Sequence, residues 1–125
     1  MPQVHTPSDI SKDPYPHEMF AARAVSNYFN VDVTIIKRSN IAKSADLLIK
    51  NVIWEIKSPI GDGKRTIQNN LRKADDQSVN VIINLARCKM RPSKAIGKIR
   101  YELSRANKIK QLLVVCKSGE VIKLK

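Results

Sequence analysis

The segment Asp46 to Lys57, DLLIKNVIWEIK, constrains the fold of this chain more than any other stretch. It reads as two short strands joined at Lys50-Asn51. A two-residue hairpin loop there sets the pairing register and places Asp46 directly opposite Glu55. Side chains alternate across a strand, so Asp46, Leu48, Ile53, Glu55 and Lys57 share one face. Leu47, Ile49, Val52, Trp54 and Ile56 share the other, which is uniformly apolar. Like charges opposed across a ladder repel. A divalent cation between Asp46 and Glu55 turns that repulsion into coordination, and Lys57 on the same face completes a set suited to phosphodiester chemistry. The plainer reading of the same residues is an ordinary sheet with one apolar and one solvated, charged face.

A chain of 125 residues that is 42% hydrophobic suits one domain with one core. Its net charge of +12 points to a polyanionic partner, either nucleic acid or a membrane surface. From Ala86 onward twelve Lys and Arg face two acids, Glu102 and Glu120, so the basic surface lies beside a less basic half that holds Asp46 and Glu55. A lysine-rich solubilising surface is the alternative. No apolar run approaches the roughly 18 residues of a membrane span. The opening MPQVHTPSDISKDPYPHE has neither a signal-peptide core nor an amphipathic targeting pattern. Cys88 and Cys116 lack metal-ligand spacing, and Cys116 reads as a buried thiol at the end of an apolar strand.

Along the chain, residues 1–14 read as a flexible arm and 15–125 as a single domain. Pro16 suits the first turn of a helix over 16–29. A β-branched strand follows at 31–36, then a basic loop over 37–45 leading into the hairpin. Ser58 to Gly63 is a breaker. Thr66 can cap a helix over 66–76 that buries Ile67, Leu71 and Ala74. A central strand spans 79–85. Pro92 and Ser93 open a helix to about 107, with Ile96, Ile99, Leu103 and Ala106 on one stripe. A last hairpin turns at Ser118-Gly119. The order is α-β-β-β-α-β-α-β-β: an α/β (α+β) chain with a mixed central sheet flanked by helices.

In chemical terms, Asp46 and Glu55 are expected to hold Mg²⁺ or Mn²⁺, hard ions that prefer carboxylate oxygen and water. Such an ion polarises a phosphoryl oxygen and lowers the pKa of a bound water, which Lys57 orients. Lys64, Arg65, Thr66 and Asn69 follow the second hairpin strand around a helix start, where backbone and side chains can approach phosphate closely. They are the candidate substrate-binding residues, and a capped helix with a basic tip is the plain alternative. Trp54 faces away from the acids and reads as core. Aromatic residues make up 5% of the chain, which argues against recognition dominated by stacking.

The element order with D…E-x-K across the hairpin resembles the PD-(D/E)xK nuclease superfamily, whose core is a restriction-endonuclease-like mixed sheet. The wording from HEMFAARAV through ADLLIKNVIWEIKSPIGDGKRTIQNNLRKADDQSVNVIINL is similar, more narrowly, to the carboxy-terminal toxin domains of contact-dependent growth inhibition (CdiA-type) systems, in particular their tRNA nucleases. In that resemblance Asp46 is the motif aspartate, Glu55 the second acid and Lys57 the lysine. Glu18 matches a glutamate that such domains carry on the first helix near the metal. Its plain alternative is an acid favoured by the dipole of a helix's first turn. Ala45 stands where many members have proline.

The resemblance implies a metal-dependent endonuclease exported as part of a larger toxin. It would cut tRNA in the target-cell cytoplasm and be neutralised by a cognate immunity protein, which a +12 domain favours as acidic. Two other functions fit the residues: a metal-dependent DNA endonuclease of toxin, restriction or repair type, and a noncatalytic basic nucleic-acid-binding module. No residue demonstrates recognition of a 2′-hydroxyl.

Overall fold

The computed structural model describes residues 2–6, 14–36 and 46–125. The basic loop expected at 37–45 lies outside the described residues. The hairpin is formed by β3 (Asp46–Ile49) and β4 (Val52–Lys57), which pair antiparallel with Asp46 opposite Glu55 and Ile49 opposite Val52. Lys50 and Asn51 both adopt positive φ, 50° and 67°. Two consecutive left-handed residues are what a two-residue type I′ turn requires, and the twist of that turn matches the twist of the strands.

Around the hairpin, the described residues form seven strands in one mixed sheet and three helices. The remaining elements are β1 (Val4–His5), α1 (Pro16–Phe29), β2 (Val33–Ile36), α2 (Thr66–Gln77), β5 (Asn80–Asn84), α3 (Pro92–Leu103), β6 (Gln111–Val115) and β7 (Val121–Lys123). Spatial order follows chain order from β1 to β7. β2, β3 and β4 form an antiparallel meander, β4, β5 and β6 run parallel through the crossovers α2 and α3, and β7 closes the edge antiparallel to β6. Parallel neighbours need such long crossovers, whereas the antiparallel pairs need only short turns. The mixed sheet flanked by helices expected from the sequence is what the chain forms.

Alternation along the strands splits the core in two. α1 buries Ala21, Ala22 and Val25 against Leu47, Trp54, Ile56 and Ile82. On the opposite face α2 and α3 bury Leu71, Ala74 and Ile99 against Val81, Ile83 and Leu112. Each fully buried Leu or Ile contributes about 1.5–3 kcal/mol relative to exposure. Trp54 is core, as expected, with its ring 6.0 Å from that of Phe29. Cys88 and Cys116 are buried free thiols, and burial, reinforced by Glu120, pushes the Cys116 thiol above its usual range.

Four local features differ from the sequence expectation. Within the arm, Val4–His5 adds a parallel strand, β1, beside β2. Asp32 secures it by accepting hydrogen bonds from the Gln3 N–H (2.8 Å) and from His5 (2.9 Å), contacts that hold its carboxyl below the usual range. β2 begins at Val33 rather than 31. Thr66 is the first helical residue of α2 rather than its cap; Arg65 takes that position without a side-chain hydrogen bond. α3 ends at Leu103 because Asp75 on α2 accepts from the Lys108 and Ile109 N–H groups (2.9 and 3.1 Å) and draws the chain back. Ala106 is still buried, so the apolar period outlasts the helix.

Candidate active site

The two hairpin acids are not solvated. Asp46 is 1% exposed and Glu55 4%. The register places Ile36 on the far side of Asp46 and Val81 on the far side of Glu55, so the carboxylates sit in one row between apolar neighbours. Directly opposed residues have Cβ atoms about 4.5–5.5 Å apart. Confining two carboxylates there costs free energy unless opposite charge is supplied. Lys57 supplies part of it: its Nζ lies 3.2 Å from Glu55 Oε1, and both side chains are largely buried. The donor set fits a hard divalent ion. Mg²⁺ in particular is commonly held by one or two carboxylates, with water and substrate phosphate completing its shell.

Lys57 also lines a cavity of about 690 Å³ at the carboxyl ends of β4 and β5. Ligands of open α/β sheets gather at the carboxyl ends of parallel strands. Glu18, from the first turn of α1, borders the same cavity. It is buried, and its Oε1 accepts the Tyr15 N–H at 2.9 Å, so it caps its own helix. Among the described residues no three His, Cys, Asp or Glu side chains converge as a metal-binding group. Glu18 and Lys57 border one cavity.

None of Lys64, Arg65, Thr66 and Asn69 lines this cavity. Lys64 borders a separate groove of about 430 Å³ between α2 and α3, together with Lys94, Lys98 and Tyr101. Arg65 and Asn69 are exposed at the start of α2. Thr66 lies under the preceding loop, where a Cβ on Gly61 or Gly63 would come within 3.4 or 3.3 Å of its Oγ1. One turn further along α2, Asn70 and Lys73 reach the cavity, with Arg87 beyond β5 and Tyr15 and His17 at the start of α1. Sequence alone assigns no role to these five. Asn70 and Lys73 flank the buried stripe Ile67–Leu71–Ala74, and that helical spacing is the signal that could have found them. Arg87 and the Tyr15–His17 pair carry no local signal, because chain crossovers bring them to the site.

Asn84 holds this arrangement together. Fully buried at the end of β5, it donates from Nδ2 to the His17 carbonyl (2.9 Å) and, at 3.5 Å, to Ser58 Oγ; its Oδ1 accepts the Ala86 N–H at 3.2 Å. It thereby ties the start of α1 to the segment after β4. Truncation leaves buried polar groups unmatched, so Asn84→Ala is expected to lower unfolding stability by about 1–3 kcal/mol in urea titrations. A loss within error would show that the start of α1 is held by other contacts.

The family model described as contact-dependent growth inhibition CdiA C-terminal domain matches residues 43–121, a span that includes Asp46, Glu55, Lys57, Lys73 and Arg87. Among solved structures, the CdiA-CT/CdiI toxin and immunity complex from Burkholderia pseudomallei contains a similar chain. It has a TM-score of 0.66 and 15% identity, covering 98% of this chain and 98% of that one. At that identity the likeness is one of fold. Among curated proteins none matches this sequence.

Proposed function

The chain belongs to the contact-dependent growth inhibition CdiA C-terminal domain family, and from that premise we propose that it is a metal-dependent endonuclease toxin domain of the PD-(D/E)xK class. Its substrate is RNA, with tRNA favoured. It is exported as part of a larger protein and acts in the cytoplasm of a target cell. The observation that carries this reading is the buried, opposed Asp46–Glu55 pair with Lys57 ion-paired to it at the wall of a cationic cavity. A binding module has no need to confine two carboxylates side by side.

Asp46 and Glu55 would hold Mg²⁺ or Mn²⁺, which when bound supplies Lewis-acid polarisation and a more acidic water. In phosphodiester hydrolysis a water oxygen bonds to phosphorus while the bond to one ester oxygen breaks, and the water's proton ends on the departing oxygen. Lys57, held in place by Glu55, puts an ammonium beside the phosphoryl oxygens on which negative charge accumulates. Lys73 and Arg87 neutralise the flanking phosphates. Glu18 keeps the cavity wall in place through its bond to the Tyr15 N–H.

A cognate immunity protein completes the proposal. The similar Burkholderia chain is described in complex with one, and a domain of charge +12 favours an acidic partner.

The test is incubation of the purified protein with total tRNA and with plasmid DNA, in Mg²⁺, Mn²⁺ or EDTA. The expected result is discrete tRNA fragments in metal and none in EDTA. Cleavage of DNA alone would move the reading to a DNA endonuclease. Salt-sensitive binding without cleavage of either would leave a nucleic-acid-binding module.

A further inference from the structure

The cavity lining combines three cations, Lys57, Lys73 and Arg87, with one acid, Glu18, and two aromatic side chains. The rings of Tyr15 and His17 stack at 5.5 Å between centroids with their planes 11° apart, and both residues line the cavity. Tyr15 is 49% exposed although it sits beside Pro16, whose fixed φ stiffens the entry to α1. An exposed ring stacked on a second ring therefore shares one cavity with three cations.

From this juxtaposition we infer that the cavity is a subsite for one unpaired nucleotide, its base stacked on the Tyr15–His17 pair and its phosphate held by Lys73 and Arg87 beside Lys57. The inference rests on the nuclease reading and narrows its substrate. A paired base in a duplex presents only its edge, so a face that stacks on Tyr15 belongs to a loop, a single-stranded end or a base turned out of its helix. The volume of about 690 Å³ lies within the range of small-molecule sites and has room for one nucleotide. Stacking is tolerant of base identity because every base has a π-face. The subsite therefore selects single-strandedness more strongly than sequence. The scarcity of aromatic residues elsewhere is consistent with recognition in which a single base is stacked.

The test uses the whole chain in EDTA, so that binding is read without cleavage. The probe is a trinucleotide with central 2-aminopurine, whose fluorescence falls on stacking; the same base inside a hairpin stem is the paired control. Wild type is expected to quench and bind the trinucleotide, and to leave the stem base unquenched. Tyr15→Leu should weaken trinucleotide binding by about 5-fold to 100-fold, the scale of one base–aromatic stack, and abolish the quench, while Tyr15→Phe keeps both. Lys73→Ala combined with Arg87→Ala should weaken binding of every oligonucleotide alike. Thermal melts establish that each variant is folded; the Tyr15 N–H that caps Glu18 is backbone and survives substitution. The inference is overturned by a wild type that gives no quench, by a Tyr15→Leu variant that binds and quenches as wild type does, or by equal quenching of the stem base. A protein that cuts tRNA yet gives any of these results retains the nuclease reading and loses the subsite. A protein that quenches as expected but cuts nothing keeps the subsite and loses the nuclease.

Discussion

In metal-free buffer the Asp46→Asn protein is expected to melt about 2–4 °C above the parent, and to cut RNA at least about 10²–10³-fold more slowly in Mg²⁺. The two effects have one cause. Asp46 and Glu55 are buried opposite each other between Ile36 and Val81. Opposed like charges weaken a ladder by about 0.2–1 kcal/mol, and the amide removes one of them. The same repulsion is the basis of the cation site proposed for the pair. Mg²⁺ or Mn²⁺ should raise the parent's melting temperature, by up to about 2.7 kcal/mol of stabilisation at a hundred times the dissociation constant, and leave Asp46→Asn nearly unmoved. Differential scanning fluorimetry with and without EDTA reads the stability arm, and fragment gels read the other. A parent indifferent to both ions, or a variant that cleaves within a few-fold of it, would sink the assignment.

Lys57→Met should damage the protein twice. Glu55, whose side chain is only 5% exposed, loses the ammonium at 3.2 Å. Stranding one member of a buried ion pair destabilises by about 3–5 kcal/mol. Lys57 lines a cavity that can admit water, so the lower part of a 1–3 kcal/mol range is the better expectation. Cleavage should fall by about 10²–10³-fold, since the charge aimed at the phosphoryl oxygens is gone. Substrate binding should hold within a few-fold, because Lys73 and Arg87 remain. Lys57→Arg separates the two roles: it restores most of the stability but little of the cleavage, because a planar fork does not replace a compact ammonium. Urea unfolding beside cleavage rates checks this. A fully stable and active Lys57→Met protein would show that the ion pair matters to neither.

The hairpin and α1 were legible because their signals are local. Lys50-Asn51 sits between two alternating apolar runs and can only turn tightly there, and Pro16 sets the start of a helix that ends where Asn30 enters the left-handed region. The end of α3 was not legible. The apolar period runs on to Ala106, but Asp75, about thirty residues earlier in the chain, captures the backbone at Lys108 and Ile109. Val4–His5 carries no strand signal of its own and pairs because Asp32 holds Gln3 and His5. Which turn of α2 lines the cavity was not legible either. Lys64, Arg65 and Asn69 look poised for phosphate at a helix start, yet the turn of α2 that meets the cavity is the one bearing Asn70 and Lys73.

The sequence by itself determined that Asp46 and Glu55 oppose each other and that Lys57 shares their face. A two-residue turn and a period of two leave one register that buries the apolar side. Only the tertiary structure decided that this face is buried, that Glu18 borders the cavity, and that Tyr15, His17, Lys73 and Arg87 line it together with Lys57. Those residues come from α1, α2 and the segment after β5, and their meeting depends on parallel pairing through long crossovers. Contacts made across such loops are set by how whole elements pack, which no window of neighbouring residues records.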